Sequence, residues 1–136
     1  MKPEPFTIKV HPKERVLEVH YPERPTMESY EKYEAEIRAA ILSLAATGHW
    51  DCIVDQRALQ ALGPDFPPRI ALLNAWAREN GMRRTARVVS DSYIGELQTK
   101  RILRDSGVAN AAQVFRDREL AWDFITSDEA TSKDET

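Results

Sequence analysis

The sequence of 136 residues has a single cysteine, five glycines and no long hydrophobic run. One cysteine, Cys52, cannot form an intrachain disulfide or a cysteine-rich metal site, and it suits a reducing compartment. No segment approaches the roughly 18 apolar residues of a membrane span, and the first residues lack the apolar core of a signal peptide. We therefore expect a cytoplasmic protein with no membrane span.

Several sequence signatures of enzymes and cofactor-binding proteins are missing. The glycines lie far apart, so the chain has neither a P-loop nor a dinucleotide fingerprint. It has no GxSxG motif, and Cys52 lies within an apolar run, where a small core thiol is expected rather than a nucleophile. His11, His20 and His49 lack the four-residue spacing that places two metal ligands on one helix face. We expect no metal and no cofactor.

The charge of the chain is nearly balanced. With 19 basic and 22 acidic residues, the formal net charge is −3, which gives no overall attraction to nucleic acid or to an anionic membrane. Hydrophobic residues make up 42% of the sequence, which is enough for the core of one domain.

What the sequence does contain is an alternation of strand and helix patterns. Period-two apolar residues on both sides of "HPKE" predict an antiparallel pair of strands within residues 6–21. Three helices, the first capped by Thr26, then alternate with apolar strands, and a short fourth helix follows; the strands are expected at 50–55, 85–90 and 111–115. This order predicts an α/β fold: a mixed, mostly parallel sheet of four or five strands with an N-terminal antiparallel hairpin, covered by helices.

The helix patterns also predict caps and inward faces. Asp65 is expected to cap the second helix, and Asp91 or Ser92 the third. Leu97 and Leu103 are expected on the inner face of the third helix, and Leu120, Ala121 and Phe124 on that of the fourth. Residues 1–126 form the predicted domain, and residues 127–136, an acidic segment without large apolar side chains, are expected to be disordered.

Two sets of residues are candidate sites. Asp55 and Asp91 both follow apolar strands, so they are expected at the carboxyl edge of the sheet, where Arg84 or Arg87 would orient an anionic ligand. Both aspartates are equally explained as caps, and the arginines as a solvated face. Leu59, Leu62 and Phe66 are large apolar residues in and after the loop that follows Asp55, and with Asp65 they form a candidate surface for a protein partner. The alternative is that these apolar residues fold back onto the sheet.

Three passages resemble the STAS domain, the fold of anti-sigma-factor antagonists, and in particular its SpoIIAA-like relatives. "WDCIVDQRAL" is similar to the central strand ending in Asp, "ARVVSDSYIGELQTKRIL" to the next strand and helix, and "AAQVFRDRELAWDFI" to the closing strand and helix. The resemblance extends from about Phe6 to Ile125 and implies a regulatory module without enzymatic activity. Such a module docks a protein partner, which could be a second copy of the chain.

The chain departs from that family at the residue that would act as its switch. Anti-sigma antagonists carry a phosphorylatable Ser or Thr after the central strand, but no Ser or Thr occurs here from His49 to Arg84, and Asp65 lies near the expected position. We therefore expect a protein-binding module without phosphorylation control. The alternative is a protein, or a weak enzyme, that binds a small anionic or lipid-like molecule at the carboxyl edge of the sheet.

Overall fold

The computed structural model describes residues 4–60 and 62–127, with the side chains of Tyr93 and Ile94 excepted. Apart from Ser127, the tail predicted to be disordered lies outside the described residues. The elements, in chain order, are β1 (Thr7–His11), β2 (Val16–His20), α1 (Met27–Ala45), β3 (Trp50–Asp55), α2 (Phe66–Glu79), β4 (Met82–Val88), α3 (Tyr93–Asp105), a short 3-10 turn (Ala109–Ala111), β5 (Ala112–Phe115) and α4 (Arg118–Thr126).

The five strands form one sheet in the order β1-β2-β3-β4-β5. β1 pairs antiparallel with β2, and every other pair of neighbours is parallel. The predicted α/β class, with its antiparallel hairpin at one edge, is confirmed. Because each parallel connection steps to the next strand in the same direction, right-handed crossovers place α1, α2 and α3 on one face.

Each face of the sheet has its own hydrophobic core. Alternate strand residues such as Leu17 and Cys52 pack under α1, α2 and α3 in the larger core. The residues between them, such as Val16 and Ile53, pack with Ala121 of α4 in the smaller core. The sheet is therefore covered on both faces, and its functional surfaces are the strand ends, the edges and the helices. Among the described residues, no helix is long and apolar enough to cross a membrane.

Capping explains where the first helix begins and ends. Thr26 Oγ1 accepts a hydrogen bond from Ser29 N at 3.1 Å, and Ser29 Oγ accepts one from Thr26 N at 3.2 Å, which is a reciprocal capping box. At the other end, Arg15 donates hydrogen bonds to Leu44 O at 2.7 Å and His49 O at 2.7 Å. Arg15 thereby fastens the β1–β2 turn to the end of α1.

Three predictions about the helices need correction. Asp65 occupies the cap position of α2 but its side chain makes no capping hydrogen bond, because α2 begins with Phe66, Pro67 and Pro68 and the prolines have no N–H to offer. Leu97 and Leu120, predicted to face inward, are 49% and 56% exposed. The prediction that Asp91 or Ser92 caps α3 is confirmed for Ser92, whose Oγ accepts a hydrogen bond from Gly95 N at 3.2 Å.

The inward faces of α3 and α4 differ from the predicted ones because small and polar residues complete them. Thr99, Ile102 and Leu103 form the buried face of α3, and Ser106, the residue that follows the helix, continues it. In α4, Ala121 and Ile125 are buried four residues apart. β4 also begins earlier than predicted, at Met82, and ends at Val88.

Candidate functional site

A groove with a volume of about 540 Å³ lies at the carboxyl ends of β3 and β4. We call it the carboxyl-edge groove. One wall is the loop after β3, and the other is the loop after β4 together with the start of α3. Its lining residues are Gln56, Leu59, Gln60, Leu62, Val89, Ser90, Ser92, Gly95 and Gln98. Ligands in open α/β sheets characteristically bind at this end of the strands.

The wall after β3 is held in place by hydrogen bonds to three other elements. Gln56 N donates to Val88 O of β4 at 2.8 Å, and Gln56 Nε2 donates to Thr99 Oγ1 of α3 at 3.0 Å. Farther along, Gln60 N donates to Glu23 O at 3.0 Å, and Gln60 Oε1 accepts from Arg24 Nε at 3.2 Å. These bonds give the wall a defined shape.

The opposite wall is fixed by strand pairing and by the cap of α3. Val89 N donates to Phe115 O at 2.8 Å, which ties the start of the loop to β5. Ser92 caps the helix, and Gly95 lies in its first turn. Because Gly95 has no side chain, the groove extends to the helix backbone at this point. A Cβ added there would meet Ser92 at 3.5 Å, which is ordinary contact.

The chemistry of the groove is that of an uncharged binding site. Leu59 and Leu62 supply apolar surface, and three glutamine amides with two serine hydroxyls supply both hydrogen-bond donors and acceptors. None of the lining residues named above carries an ionisable side chain. Volumes of about 300–1,000 Å³ with mostly apolar walls and a few polar groups are typical of small-molecule sites.

The structure separates the residues predicted as a docking surface. Leu59 and Leu62 are partly buried and meet in the groove, whereas Asp65 is exposed outside its lining. Phe66 is buried in the larger core, with its ring 5.7 Å from that of Tyr30 in an edge-to-face contact. Phe66 therefore folds back under α1, as the alternative interpretation held, and offers no surface to a partner.

Asp55 is buried on the α4 face at the end of β3. Arg57 Nη2 donates to its Oδ2 at 2.7 Å, and His20 Nδ1 lies 3.7 Å from the same oxygen. Burial alone raises the pKa of Asp55, but the hydrogen bonds from Arg57 outweigh this effect and hold the pKa below its usual value. Asp55 is thus an ion-paired carboxylate that fixes the start of the loop.

Asp91, Arg84 and Arg87, which were predicted to converge with Asp55, have other partners. The Asp91 side chain is 95% exposed, with Arg116 Nε 3.1 Å from its Oδ1. Arg84 is buried on the α4 face, where it pairs with Asp51 at 3.3 Å and donates to the Ile125 carbonyl at the end of α4 at 2.7 Å. Asp55, Asp91, Arg84 and Arg87 therefore do not come together as an anion site.

Arg87 lies on the opposite face of β4, under α2. Its Nε donates to Thr85 Oγ1 at 3.2 Å, and its Nη2 donates to Asn74 Oδ1 at 2.9 Å. Asn74 Nδ2 donates in turn to Ser106 Oγ of α3 at 3.2 Å. The result is a buried polar chain that joins β4, α2 and α3.

A cluster that the sequence interpretation missed surrounds Glu18 on β2. Glu18 is 3% exposed, and it accepts hydrogen bonds from Arg118 at 2.7 and 2.9 Å and from His11 and His20 at 2.9 and 2.8 Å. Arg118 holds the pKa of Glu18 far below its usual value, against the opposing effect of burial. The cluster fastens the first turn of α4 to the sheet.

Histidines and carboxylates do not form a metal site in the part of the chain that the structure describes. His11 and His20 are bound to Glu18, and His49 is exposed between α1 and β3. Cys52 is buried, and its burial raises the pKa of the thiol to about 11, so it is protonated at neutral pH.

The polar residues of the groove escaped the sequence interpretation because they are not ionisable. Gln56, Gln60, Gln98 and Ser90 give no motif. Their one available signal is position: apart from Gly95 and Gln98, which lie in α3, the lining residues fall within the two segments that directly follow adjacent parallel strands. Comparison of the chain with protein-family models, with curated proteins and with solved structures finds no match in any of the three.

Proposed function

We propose that the protein is a non-enzymatic binding module that holds a small, largely uncharged molecule in the carboxyl-edge groove. The observation that carries the proposal is the groove itself, about 540 Å³ in volume, between two hydrogen-bonded walls at the ends of β3 and β4. Leu59 and Leu62 would contact an apolar part of the ligand, and the glutamine amides would bind its polar groups.

The side chains in the groove agree with a binding role that involves no catalysis. Among the described residues that line the groove, only Ser90 and Ser92 carry hydroxyl groups, and the Ser92 hydroxyl is engaged in capping α3. An activated nucleophile needs an adjacent base, and the lining includes none. Asp55, which the sequence analysis placed at this edge of the sheet, is instead ion-paired to Arg57 on the α4 face.

We also propose that the chain is a relative of the STAS, SpoIIAA-like family. Its support is the order of elements: an N-terminal hairpin, three strand–helix units and a sheet in sequential order. The loop after the central strand, which forms one wall of the groove, corresponds by the resemblance to the loop that carries the switch of the family. Without a Ser or Thr in that loop, the proposed control is by ligand rather than by phosphorylation.

Docking of a protein partner is the second candidate function. It is favoured by the partial exposure of Leu59 and Leu62 and by Asp65, whose carboxylate is exposed and not used as a cap. It is weakened by Phe66, a predicted contact residue that is buried and cannot meet a partner. Under this alternative the groove would hold a segment of a partner, or of a second copy of the chain.

Native mass spectrometry of the full chain, recovered gently from the cells that make it, tests the proposal. We expect the mass of one chain plus a ligand of a few hundred daltons. A co-eluting protein or a homodimer without added mass would replace the small-molecule proposal with the docking alternative. A bare chain of unmodified mass would contradict both.

A further inference from the structure

Arg87 is a buried cation whose hydrogen-bonding partners are all neutral. It is 3% exposed, and it donates hydrogen bonds to the hydroxyl of Thr85 and the amide oxygen of Asn74. No carboxylate of the described residues forms an ion pair with it. An isolated charge in a protein interior is strongly unfavourable unless an opposite charge accompanies it.

Two ionisable groups that interact with Arg87, Tyr21 and Cys52, stay uncharged at neutral pH. Burial raises the pKa of Tyr21 to about 12 and that of Cys52 to about 11, even though Arg87 opposes both shifts. The phenol and the thiol are therefore donors, not counter-ions. By contrast, Arg84, the other buried arginine of β4, has Asp51 as its carboxylate partner.

Two small cavities touch Arg87. The first, about 20 Å³, lies between the sheet and helices α1 and α2, and its walls include Tyr21, Cys52 and Asn74. The second, about 10 Å³, is lined by Arg87 together with Gln56 and Leu62, which also line the carboxyl-edge groove. A cavity of roughly 10–15 Å³ holds one water-sized particle, so the first has room for a single monatomic ion.

We propose that the cavity between Tyr21, Asn74 and Arg87 is a binding site for one halide ion, chloride in the cell. The guanidinium supplies the charge-assisted hydrogen bond, and Tyr21, which also lines the cavity, supplies the second donor in this proposal. The size of the cavity excludes phosphate, sulfate and carboxylate ligands. Gln56 and Leu62 line both the second cavity and the carboxyl-edge groove.

Chloride then neutralises the one buried charge that the described protein groups leave uncompensated. Because the ion binds the folded chain and not the unfolded one, the free energy of unfolding increases with chloride concentration. Each tenfold rise in chloride above the dissociation constant multiplies the folding equilibrium constant by about ten. The site lies beneath the groove and does not depend on a ligand there.

The test compares thermal unfolding of the full chain in sodium chloride and in sodium gluconate at equal ionic strength. Gluconate is too large for the cavity, so we expect a higher melting temperature in chloride that rises with chloride concentration. Arg87→Met should abolish the difference between the salts. Arg84→Met, which removes a buried arginine that has a carboxylate partner, should lower stability but keep the difference.

Crystals of the wild-type chain grown with bromide provide a measurement that does not rely on the variants folding. We expect an anomalous scattering peak within hydrogen-bond distance of the Arg87 guanidinium. Equal melting temperatures in the two salts, a chloride effect that persists in Arg87→Met, or bromide crystals with only water at Arg87 would each overturn the proposal. Gly95→Leu, which fills the groove, should retain the chloride effect, so this site can fail or hold independently of the proposed function.

Discussion

Buried charged side chains are compensated in different ways on the two faces of the sheet. On the α4 face, Glu18 pairs with Arg118 and Asp51 pairs with Arg84, and each arginine also binds α4 or lies in it. On the other face, Arg87 has only neutral hydrogen-bonding partners among the described residues. The short α4 helix, which buries few apolar residues, is thus attached at its first residue by the ion pair between Arg118 and Glu18 and at its end by hydrogen bonds from Arg84 to backbone carbonyls.

Glu18→Gln is expected to be strongly destabilising. The change removes the carboxylate that binds Arg118 while leaving the guanidinium, whose side chain is 28% exposed, in place, and the loss of these charge-assisted hydrogen bonds costs about 1.5–3 kcal/mol. Chemical denaturation of the variant should show this loss in the free energy of unfolding. Glu119→Gln is the matched control, because Glu119 also contacts Arg118, at 3.3 Å, but is exposed, and its loss should cost less than about 1 kcal/mol. Equal costs for the two variants would contradict the role of Glu18.

The same carboxylate predicts how stability depends on pH. The pKa of Glu18 in the folded chain lies far below its value of 4.5 in the unfolded chain. Its contribution is therefore fully present above pH 4.5 and is lost progressively as the pH falls below that value. Unfolding measured between neutral and acidic pH should show wild-type stability falling more steeply below 4.5 than that of Glu18→Gln. Parallel curves for the two proteins would contradict this prediction.

At the scale of elements, the sequence predicts which segments are helices better than it predicts which way they face. In α1 the apolar residues recur in the sequence at spacings of three and four, and the same residues are buried in the structure: Tyr30, Tyr33, Ile37, Ile41 and Leu44. The inward face of α3 includes Thr99 and is continued by Ser106, which a search for apolar residues does not count. Leu97, one of the most apolar residues of α3, is consequently on the exposed side.

The orientation of α3 can be tested with a pair of leucines. Leu103→Ala should lower the free energy of unfolding by about 2–5 kcal/mol, because the Leu103 side chain is buried in the larger core. Leu97→Ala should change it by no more than about 0.5 kcal/mol, because Leu97 is half exposed. Urea denaturation of both variants gives the comparison, and a larger loss for Leu97→Ala would mean that the helix is rotated relative to our description.

At the scale of the whole molecule, alternation of strands and helices was sufficient to predict the mixed sheet, because right-handed connections leave few other arrangements. The site was harder to predict. Its walls come from two loops that are separated in the sequence by α2 and β4, and their functional groups are amides and hydroxyls rather than charges. The predicted charged residues instead satisfy one another within the fold: Asp55 binds Arg57, Asp91 binds Arg116, and Arg84 binds Asp51.

Of the predicted site residues, Leu59 and Leu62 line the groove. The sequence analysis singled them out as large apolar side chains in a loop. Large apolar side chains in a loop must be buried somewhere or serve as a binding surface. Here the structure leaves both partly exposed at the carboxyl edge. Phe66 shows the opposite outcome, because it begins α2 and turns under Tyr30.

The measurement that most directly tests the central claim is native mass spectrometry of two groove variants beside the wild type, all isolated from the producing cells. In Gly95→Leu the new side chain extends into the groove from the first turn of α3, whereas Gly95→Ala adds one methyl group with ordinary contacts to Ser92. We predict that wild type and Gly95→Ala carry the same added mass of a few hundred daltons, and that Gly95→Leu carries at most a small fraction of it while unfolding at a similar temperature. Full retention of the bound mass by Gly95→Leu, or no bound mass on the wild type, would show that the carboxyl-edge groove is not the binding site.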